Sequence, residues 1–442
     1  MNNTLRVAIV GCGTVGGATA IHLLQAADEI EERYGVRLQL VAVTDRVLDH
    51  ARAIGLPEEL LTENFDALIA DGAVDCIVEL VGGTDAAFSI IERSLRAGAH
   101  VVTANKALLA HRGVDLFRVA HECERDLAFE ASCGGGIPLI RSLVDGLAGN
   151  RIDNIYGIVN GTCNYILSQM ISRSISYQDA LAEAQASGLA EADPALDVGG
   201  HDSAHKIAIM AALAFGVRVD YDSIPITGID QLDLLDVSWA TRLGYVPKLL
   251  AIAEHRENQI ALRVRPSFVP NRHPLAWVSG PFNAISVYSY PTGHTMYYGR
   301  GAGGSATSGA VVADIVSVAT GTYGCLFRSG RFWPDRSAPT VQNPEGMIRG
   351  RYYVRALVED RPGVLAEMAE RYGAYGISIA SVHQDELEDR EDQYAPVIII
   401  THTADEESLY QAIDEINALS HVKEECVVIS IIDEPAEQLI ER

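Results

Sequence analysis

Two stretches of this chain concentrate groups able to move protons and to bind charge. The first is Thr103-Ala104-Asn105-Lys106, which follows a predicted strand His100–Thr103. Residues just past the ends of parallel strands face a ligand crevice, so a lysine there is placed to meet a substrate. Taken alone it reads equally as a surface lysine. The second stretch is Gly188-Leu189-Ala190-Glu191-Ala192-Asp193-Pro194, then Asp197, then Gly199-Gly200-His201-Asp202-Ser203-Ala204-His205-Lys206. Asp202 and Lys206 stand four apart and share one helix face. Four carboxylates and a lysine within sixteen residues suit a small zwitterionic substrate. The plain alternative is a solvated helix start with a capping aspartate and an i,i+4 ion pair. His201 and His205 are also four apart, but no third metal ligand accompanies them.

A third cluster is made of glycine. Gly11-Cys12-Gly13-Thr14-Val15-Gly16 lies between the apolar run Leu5–Val10 and a helical pattern through Ala20, Ile21, Leu23 and Leu24. In such a strand–turn–helix the first glycine permits the tight turn, the second lets backbone approach a pyrophosphate, and the third allows close packing of helix on strand. The helix N-terminus then offers free N–H groups to the phosphates. Asp45 ends the second strand, Leu38–Thr44, and is placed to bind a ribose 2′-hydroxyl, as in NAD. Arg46 beside it suits a 2′-phosphate, as in NADP. Asp45 lies 29 residues beyond Gly16, farther than the usual ~20, so the intervening helix or loop is extended. Cys12 reads as a small space-filler.

The elements that must position these groups change texture along the chain. Residues 1–135 alternate strands (Leu5–Val10, Leu38–Thr44, Asp75–Leu80, His100–Thr103, Leu127–Ala131) with helices, including Ser89–Ala97. That order predicts an α/β, Rossmann-type doubly wound parallel sheet. Residues 136–304 mix a strand at Ile152–Val159, helices from Tyr165, near Gln178–Ala186 and at Asp202–Phe215, and strand-like runs at Ile260–Phe268, Ala284–Tyr290 and Thr295–Tyr298. This predicts an α+β domain. Its strands could form an open sheet that needs covering or pairing. After the glycine-dense Gly299–Gly304, a long helix at about 305–325 is expected. The stretch 337–350 reads as a linker. From 351 to 442 the order is Tyr352–Val358, Gly363–Tyr372, Ile377–His383, Pro396–Thr401, Glu406–Ala418 and Cys426–Ile432, the ferredoxin-like βαββαβ motif. The acidic run Asp385–Asp392 is read as a solvated hairpin tip.

Composition limits the partners. With 442 residues there is ample material for several cores, and a net charge of −25 repels a phosphate backbone, so nucleic acid is not expected. The most apolar helical run, Gly309–Gly321, is cut by Asp314 and is short of a membrane span, so no membrane partner is expected. Arg6 interrupts the N-terminal apolar stretch, unlike a signal peptide. Seven cysteines, widely spaced and without CxxC, suggest a reducing, cytoplasmic setting.

In order, the segments GCGTVG, VELVGG, TANKALL, FEASCGGGIPLI, NGTCNYIL, GLAEADPALDVGGHDSAHK and GRGAGGSATSGAVVADI resemble homoserine dehydrogenases over roughly residues 5–330. The C-terminal motif, with Asp360-Arg361-Pro362-Gly363-Val364-Leu365 and Ile377-Ser378-Ile379, resembles an ACT domain, an amino-acid-sensing module. The resemblance implies NAD- or NADP-dependent interconversion of L-aspartate 4-semialdehyde and L-homoserine, on the route to threonine, methionine and isoleucine. It implies catalytic roles for Lys206, Lys106 and Asp202. Substrate binding falls to Glu191, Asp197, Gly161 and Thr162. The implied cofactor set is Gly11, Gly13, Thr14, Val15, Gly16, Asp45, Arg46, Gly82, Thr103, Lys106, Gly303 and Gly304, with Gly303-Gly304 near the nicotinamide. It further implies a sodium ion held by Glu130, Cys133, Gly135 and Ile137, mainly through backbone carbonyls. A homodimer or homotetramer joined through the second domain is expected. So is a threonine effector bound at Asp360, Pro362, Gly363 and Val364, between the first strand and helix of the C-terminal module.

Two other functions fit part of the pattern. Cys133, before a glycine-rich turn, could be the nucleophile of an acylating aldehyde dehydrogenase, but no partner base is evident and the lysine–carboxylate segment is left without a role. A non-enzymatic nucleotide and amino-acid sensor would have no need of Lys106, Asp202 and Lys206.

Overall fold

The structure, a computed structural model, describes residues 4–70, 72–337, 340–384 and 394–435. The acidic run Asp385–Asp392 lies outside them. The N-terminal third is a six-stranded parallel sheet built from β1 (Thr4–Val10), β2 (Arg37–Thr44), β3 (Leu61–Thr62), β4 (Cys76–Glu79), β5 (His100–Thr103) and β6 (Leu127–Ala128). The strand order is β3-β2-β1-β4-β5-β6. The order reverses between β1 and β4, which opens a crevice beyond their carboxyl ends. Gly11 and Gly82-Gly83 sit there. The helix Thr14–Tyr34 starts at Gly13 and ends at Gly35, whose φ of 69° closes it in the left-handed form. The helix Gly304–Ala319 packs onto it, placing Val311 and Ile315 in the same core as Ala20 and Leu23. The predicted returning helix is thus shorter than 305–325. The chain bends by 81° and resumes as Thr322–Ser329. No single helix among the described residues is long and apolar enough to cross a membrane.

The second layer is an antiparallel sheet of β7 (Arg151–Ile158), β8 (Tyr245–Arg256), β9 (Gln259–Pro270), β10 (Phe282–Tyr290) and β11 (Gly293–Arg300), ordered β11-β10-β7-β8-β9. Alternate residues of these strands, such as Ile155, Ala251, Leu262 and Ile285, enter one core with the helices Gly161–Arg173 and His201–Phe215. The second of these helices is buried at every position from Asp202 to Leu213. It lies against β7, β8 and β9 and against the helix Lys106–Glu122, so it is enclosed by both domains.

The C-terminal module continues this sheet instead of standing apart from it. Its strands are β12 (Val341–Gln342), β13 (Arg349–Glu359), β14 (Ile379–Gln384), β15 (Tyr394–Thr401), β16 (Ala404–Asp405) and β17 (Val427–Ile431). The order β17-β13-β15-β14, with the helices Val364–Ala374 and Glu406–Asn417, gives the expected βαββαβ. Parallel pairing of Ser430 with Ser267 and Ile431 with Phe268 joins β17 to β9. The predicted linker 337–350 is corrected accordingly: Val341 and Gln342 pair with Gln259 and Ile260, and β13 already begins at Arg349. The expected open edge of the second domain is therefore covered on the β9 side by the chain itself.

Candidate active site

Each glycine of the fingerprint has a distinct geometric reason. Gly11 has φ of +100°, and a Cβ there would lie 2.5 Å from the Leu80 carbonyl oxygen. A Cβ on Gly16 would fall 1.9 Å from the Gly11 carbonyl oxygen. Gly13 has nothing within 4 Å, so its backbone is open to an incoming phosphate. The cradle fits a dinucleotide pyrophosphate. Asp45 accepts the Cys12 and Arg46 N–H groups, each at 2.6 Å, which fixes its carboxylate at the end of β2 beside the cradle. Arg46 is exposed next to it. Thr103 donates to buried Glu79 at 2.6 Å, and burial raises the Glu79 pKa. Asn105 caps the next helix by accepting from Leu108 N–H, and it donates to the Gly83 carbonyl. That capping sets Lys106 at the first turn, facing the cleft.

Across the cleft, the buried helix His201–Phe215 presents Asp202 between two lysines. Lys106 Nζ lies 3.0 Å from one carboxylate oxygen and Lys206 Nζ 2.7 Å from the other. Lys206 also donates to the Val159 carbonyl at 2.6 Å and is buried, whereas the Lys106 side chain is 39% exposed and lines the cavity. Burial alone would raise the Asp202 pKa, but the two ammonium groups hold it well below the carboxylate range. Asp202 in turn raises the Lys106 pKa. Asn160, at the end of β7, donates to Asp202 at 2.9 Å and to Asp197 at 2.7 Å. Burial, then the charge of Asp202, raises the Asp197 pKa.

These groups enclose a cavity of about 380 Å³ between the two domains, lined by Val15, Gly82, Lys106, Glu191, Asp197 and Asp202 among others. Glu191 sits exposed on its rim. Thr162 donates to the Leu189 carbonyl at 2.8 Å, tying the Gly161 loop to the Glu191 segment. Gly161 is needed because a Cβ would meet the Pro281 carbonyl oxygen at 2.8 Å. His205 also faces the cavity. It lies 3.3 Å from His111, nitrogen to nitrogen, and burial followed by the charge of His111 lowers its pKa to about 4. Neither Asn160 nor Glu79 stood out in the sequence as a polar member of the site. Their signal is positional, since each falls where a buried strand meets the cleft.

Other predicted members land differently. Gly304 packs against the fingerprint helix, its Cβ position 3.1 Å from the Thr14 carbonyl oxygen, and neither it nor Gly303 lines this cavity. The Glu130 side chain is held by backbone donors of the following helix. It accepts the Ile140 and Arg141 N–H groups at 2.7 and 3.0 Å, and the Arg141 guanidinium lies 3.5 Å away. Burial and neighbouring Asp314 push its pKa up to about 7. The Ile137 carbonyl accepts from Leu139 at 2.7 Å, which leaves its second lone pair free. Gly135 is a packing glycine, its Cβ position 2.4 Å from the Gly301 carbonyl oxygen. Among the described residues no group of three His, Cys, Asp or Glu forms a metal site. Cys133 is wholly buried, and burial pushes its thiol pKa up to about 12, so it offers no thiolate to an aldehyde.

A dinucleotide cradle facing two lysines and a set of carboxylates across one interdomain cleft defines an NAD(P)-dependent oxidoreductase. Family comparison gives the same class in more detail. Residues 11–130 match "Homoserine dehydrogenase, NAD binding domain", residues 138–316 match "Homoserine dehydrogenase" and residues 352–421 match "ACT domain". The chain is 38% identical to the homoserine dehydrogenase of Neisseria gonorrhoeae over 96% of its own length and 98% of the relative's. It is 37% identical to that of Synechocystis over 97% and 100%. The crystal structure of a homoserine dehydrogenase from Thiobacillus denitrificans superposes with a TM-score of 0.91 at 39% identity, covering 97% of this chain and 98% of that one. The chain belongs to the homoserine dehydrogenase family.

Proposed function

We propose that this enzyme interconverts L-aspartate 4-semialdehyde and L-homoserine, and that Lys106 delivers the proton to the oxygen of the reacting carbon. A nicotinamide dinucleotide, when bound, supplies or accepts the hydride. The observation that carries the assignment is the unequal placement of the two lysines around Asp202. Reduction of a carbonyl builds negative charge on oxygen, and an ammonium group in the cavity can both stabilise that charge and donate a proton. Lys106 lines the cavity. Lys206 is spent on Asp202 and the Val159 carbonyl, so it acts as the group that holds Asp202 ionised and in place. Glu191 and Asp197, on the same cavity wall, bind the substrate ammonium. Asp45 receives a ribose 2′-hydroxyl and Arg46 a 2′-phosphate, so both NAD and NADP are accepted. A structural neighbour, a hyperthermophilic archaeal homoserine dehydrogenase, is described in complex with NADPH.

The C-terminal module is proposed to sense L-threonine through Asp360-Arg361-Pro362-Gly363. Gly363 takes φ of +99° at the start of the helix Val364–Ala374, with open space where a side chain would stand. Asp360 accepts from Gln384 at 3.3 Å, so its carboxylate is held at the β14 side of this turn. The central test is a steady-state assay of homoserine-dependent reduction of NAD⁺ and NADP⁺. Absence of turnover with both cofactors overturns the catalytic reading.

A further inference from the structure

The continuous sheet carries its helices on opposite faces in its two halves. On β9, Leu262, Val264 and Phe268 point into the core shared with the helices of the second domain. Arg263, Arg265 and Ser267 alternate with them and so face the other way. On β13, Tyr353 joins that same core, while Tyr352 and Val354 pack under the helices Val364–Ala374 and Glu406–Asn417. The C-terminal helices therefore cover only part of the second face. Where their layer stops, beside β8 and β9, lies a cavity of about 730 Å³, the step between the two halves. Neither Lys106 nor Asp202 lines it, nor does any residue of 360–364.

The polar groups of this step are incompletely paired. Arg263 is 7% exposed, and its Nη2 donates to Glu254 at 2.9 Å, yet Nε and Nη1 have no acceptor among the described residues. The Arg265 guanidinium pairs with Glu406 at 2.6 Å, and its buried Nε likewise has no acceptor. A buried guanidinium with unmet N–H groups is costly unless something accepts from it. Planar guanidinium donors match a carboxylate or a phosphate. The lining holds five arginines and five carboxylates, a balanced set. That balance opposes a polyanion and favours a ligand bearing one charge of each sign.

The geometry points to a second small-molecule site here, taking a free α-amino acid, with its carboxylate on Arg263 and Arg265 and its ammonium toward Glu254. The site touches both halves of the sheet, through Arg263 of β9 and Tyr352 of β13, so its occupant bears on how the C-terminal module sits against the catalytic one. The assignment stands independently of the turnover chemistry, because its readout is binding. The full chain is titrated calorimetrically with each standard amino acid and with inorganic phosphate. Saturable binding of at least one amino acid is expected, weakened about tenfold or more in Arg263→Gln and in Gly350→Leu. Gly350→Leu fills the step without removing a buried ion pair, since the atom nearest a new Cβ there is the Tyr352 hydroxyl at 4.0 Å. It therefore decides the matter if Arg263→Gln does not fold. Absence of amino-acid binding, tighter binding of phosphate, or undiminished amino-acid affinity in Gly350→Leu overturns the assignment.

Discussion

Asp202 is shared by two lysines, and that sharing makes their substitutions distinguishable. Lys106→Met removes the ammonium group that lines the cavity, and kcat is expected to fall about 10²–10⁴-fold while dinucleotide affinity stays near the parent value. Near-parent turnover in that variant would assign the proton elsewhere, with Lys206 next in line. Glu191→Gln is expected to raise KM for homoserine more than it lowers kcat, because a rim carboxylate holds the ammonium end and not the reacting carbon. An unchanged KM would move that role to Asp197. His205 supplies a stability signature. Its pKa is lowered from 6.5 to about 4, so the unfolded chain binds its proton before the folded chain does. Stability is then lost as pH falls from about 6.5 to about 4, by at most about 3 kcal/mol. His205→Gln should flatten that part of a denaturation-against-pH curve; identical curves would contradict the buried neutral imidazole. The residues that carry charge were legible because lysine and carboxylates crowd one short segment. Asn160 was not, since its value comes from bridging Asp197 and Asp202, which lie far from it in sequence.

The elements were legible in proportion to how locally they are determined. The fingerprint turn, the strands Leu38–Thr44 and His100–Thr103 and the C-terminal βαββαβ follow from short patterns. The twelve-residue β8 was missed: eight consecutive buried positions, including Lys248 and Glu254, erase the two-residue alternation by which a half-buried strand is recognised. Lys248 is tolerated there because it donates to Asn164 at 2.9 Å. The linker was misread for a related reason. Its Pro and Gly content is that of a turn, and only pairing with β9 makes Val341–Gln342 a strand. The same junction is pinned by Asp236 on the helix Leu234–Arg242. Asp236 is wholly buried and accepts two bonds from Arg355, at 2.7 and 3.0 Å, and one from the Tyr353 hydroxyl at 2.8 Å. Asp236→Ala leaves the Arg355 charge buried beside a hole and should cost about 3–5 kcal/mol in a denaturant titration. A loss below 1 kcal/mol would mean that the two halves are not held together through this pair.

At the scale of the molecule, the join between catalytic sheet and C-terminal module decides how regulation must be tested. Removing the chain from Gly350 onward would strip β17 from β9, expose a long strand edge and leave Asp236 buried without Arg355. Loss of activity after such a cut would report damage, not regulation. Point changes separate the possibilities. Threonine resembles homoserine and is able to compete at the catalytic cavity, so inhibition alone does not locate its site. Asp360→Asn keeps the shape of the turn before Gly363 and removes the charge proposed to hold an ammonium group. If the module senses threonine there, this variant keeps the parent kcat and KM and loses sensitivity to threonine about tenfold or more. Inhibition that remains equal in parent and variant, and that is overcome by raising homoserine, would place threonine in the catalytic cavity instead. Because β13 runs from the Asp360 turn past the Arg355–Asp236 pair and is bonded to β17, which in turn pairs with β9, an effector at one end of β13 has a continuous path to the sheet beneath Asp202. Weakening the pair with Asp236→Asn should then reduce the maximal extent of threonine inhibition more than it changes threonine affinity, which a full inhibition curve at saturating homoserine resolves.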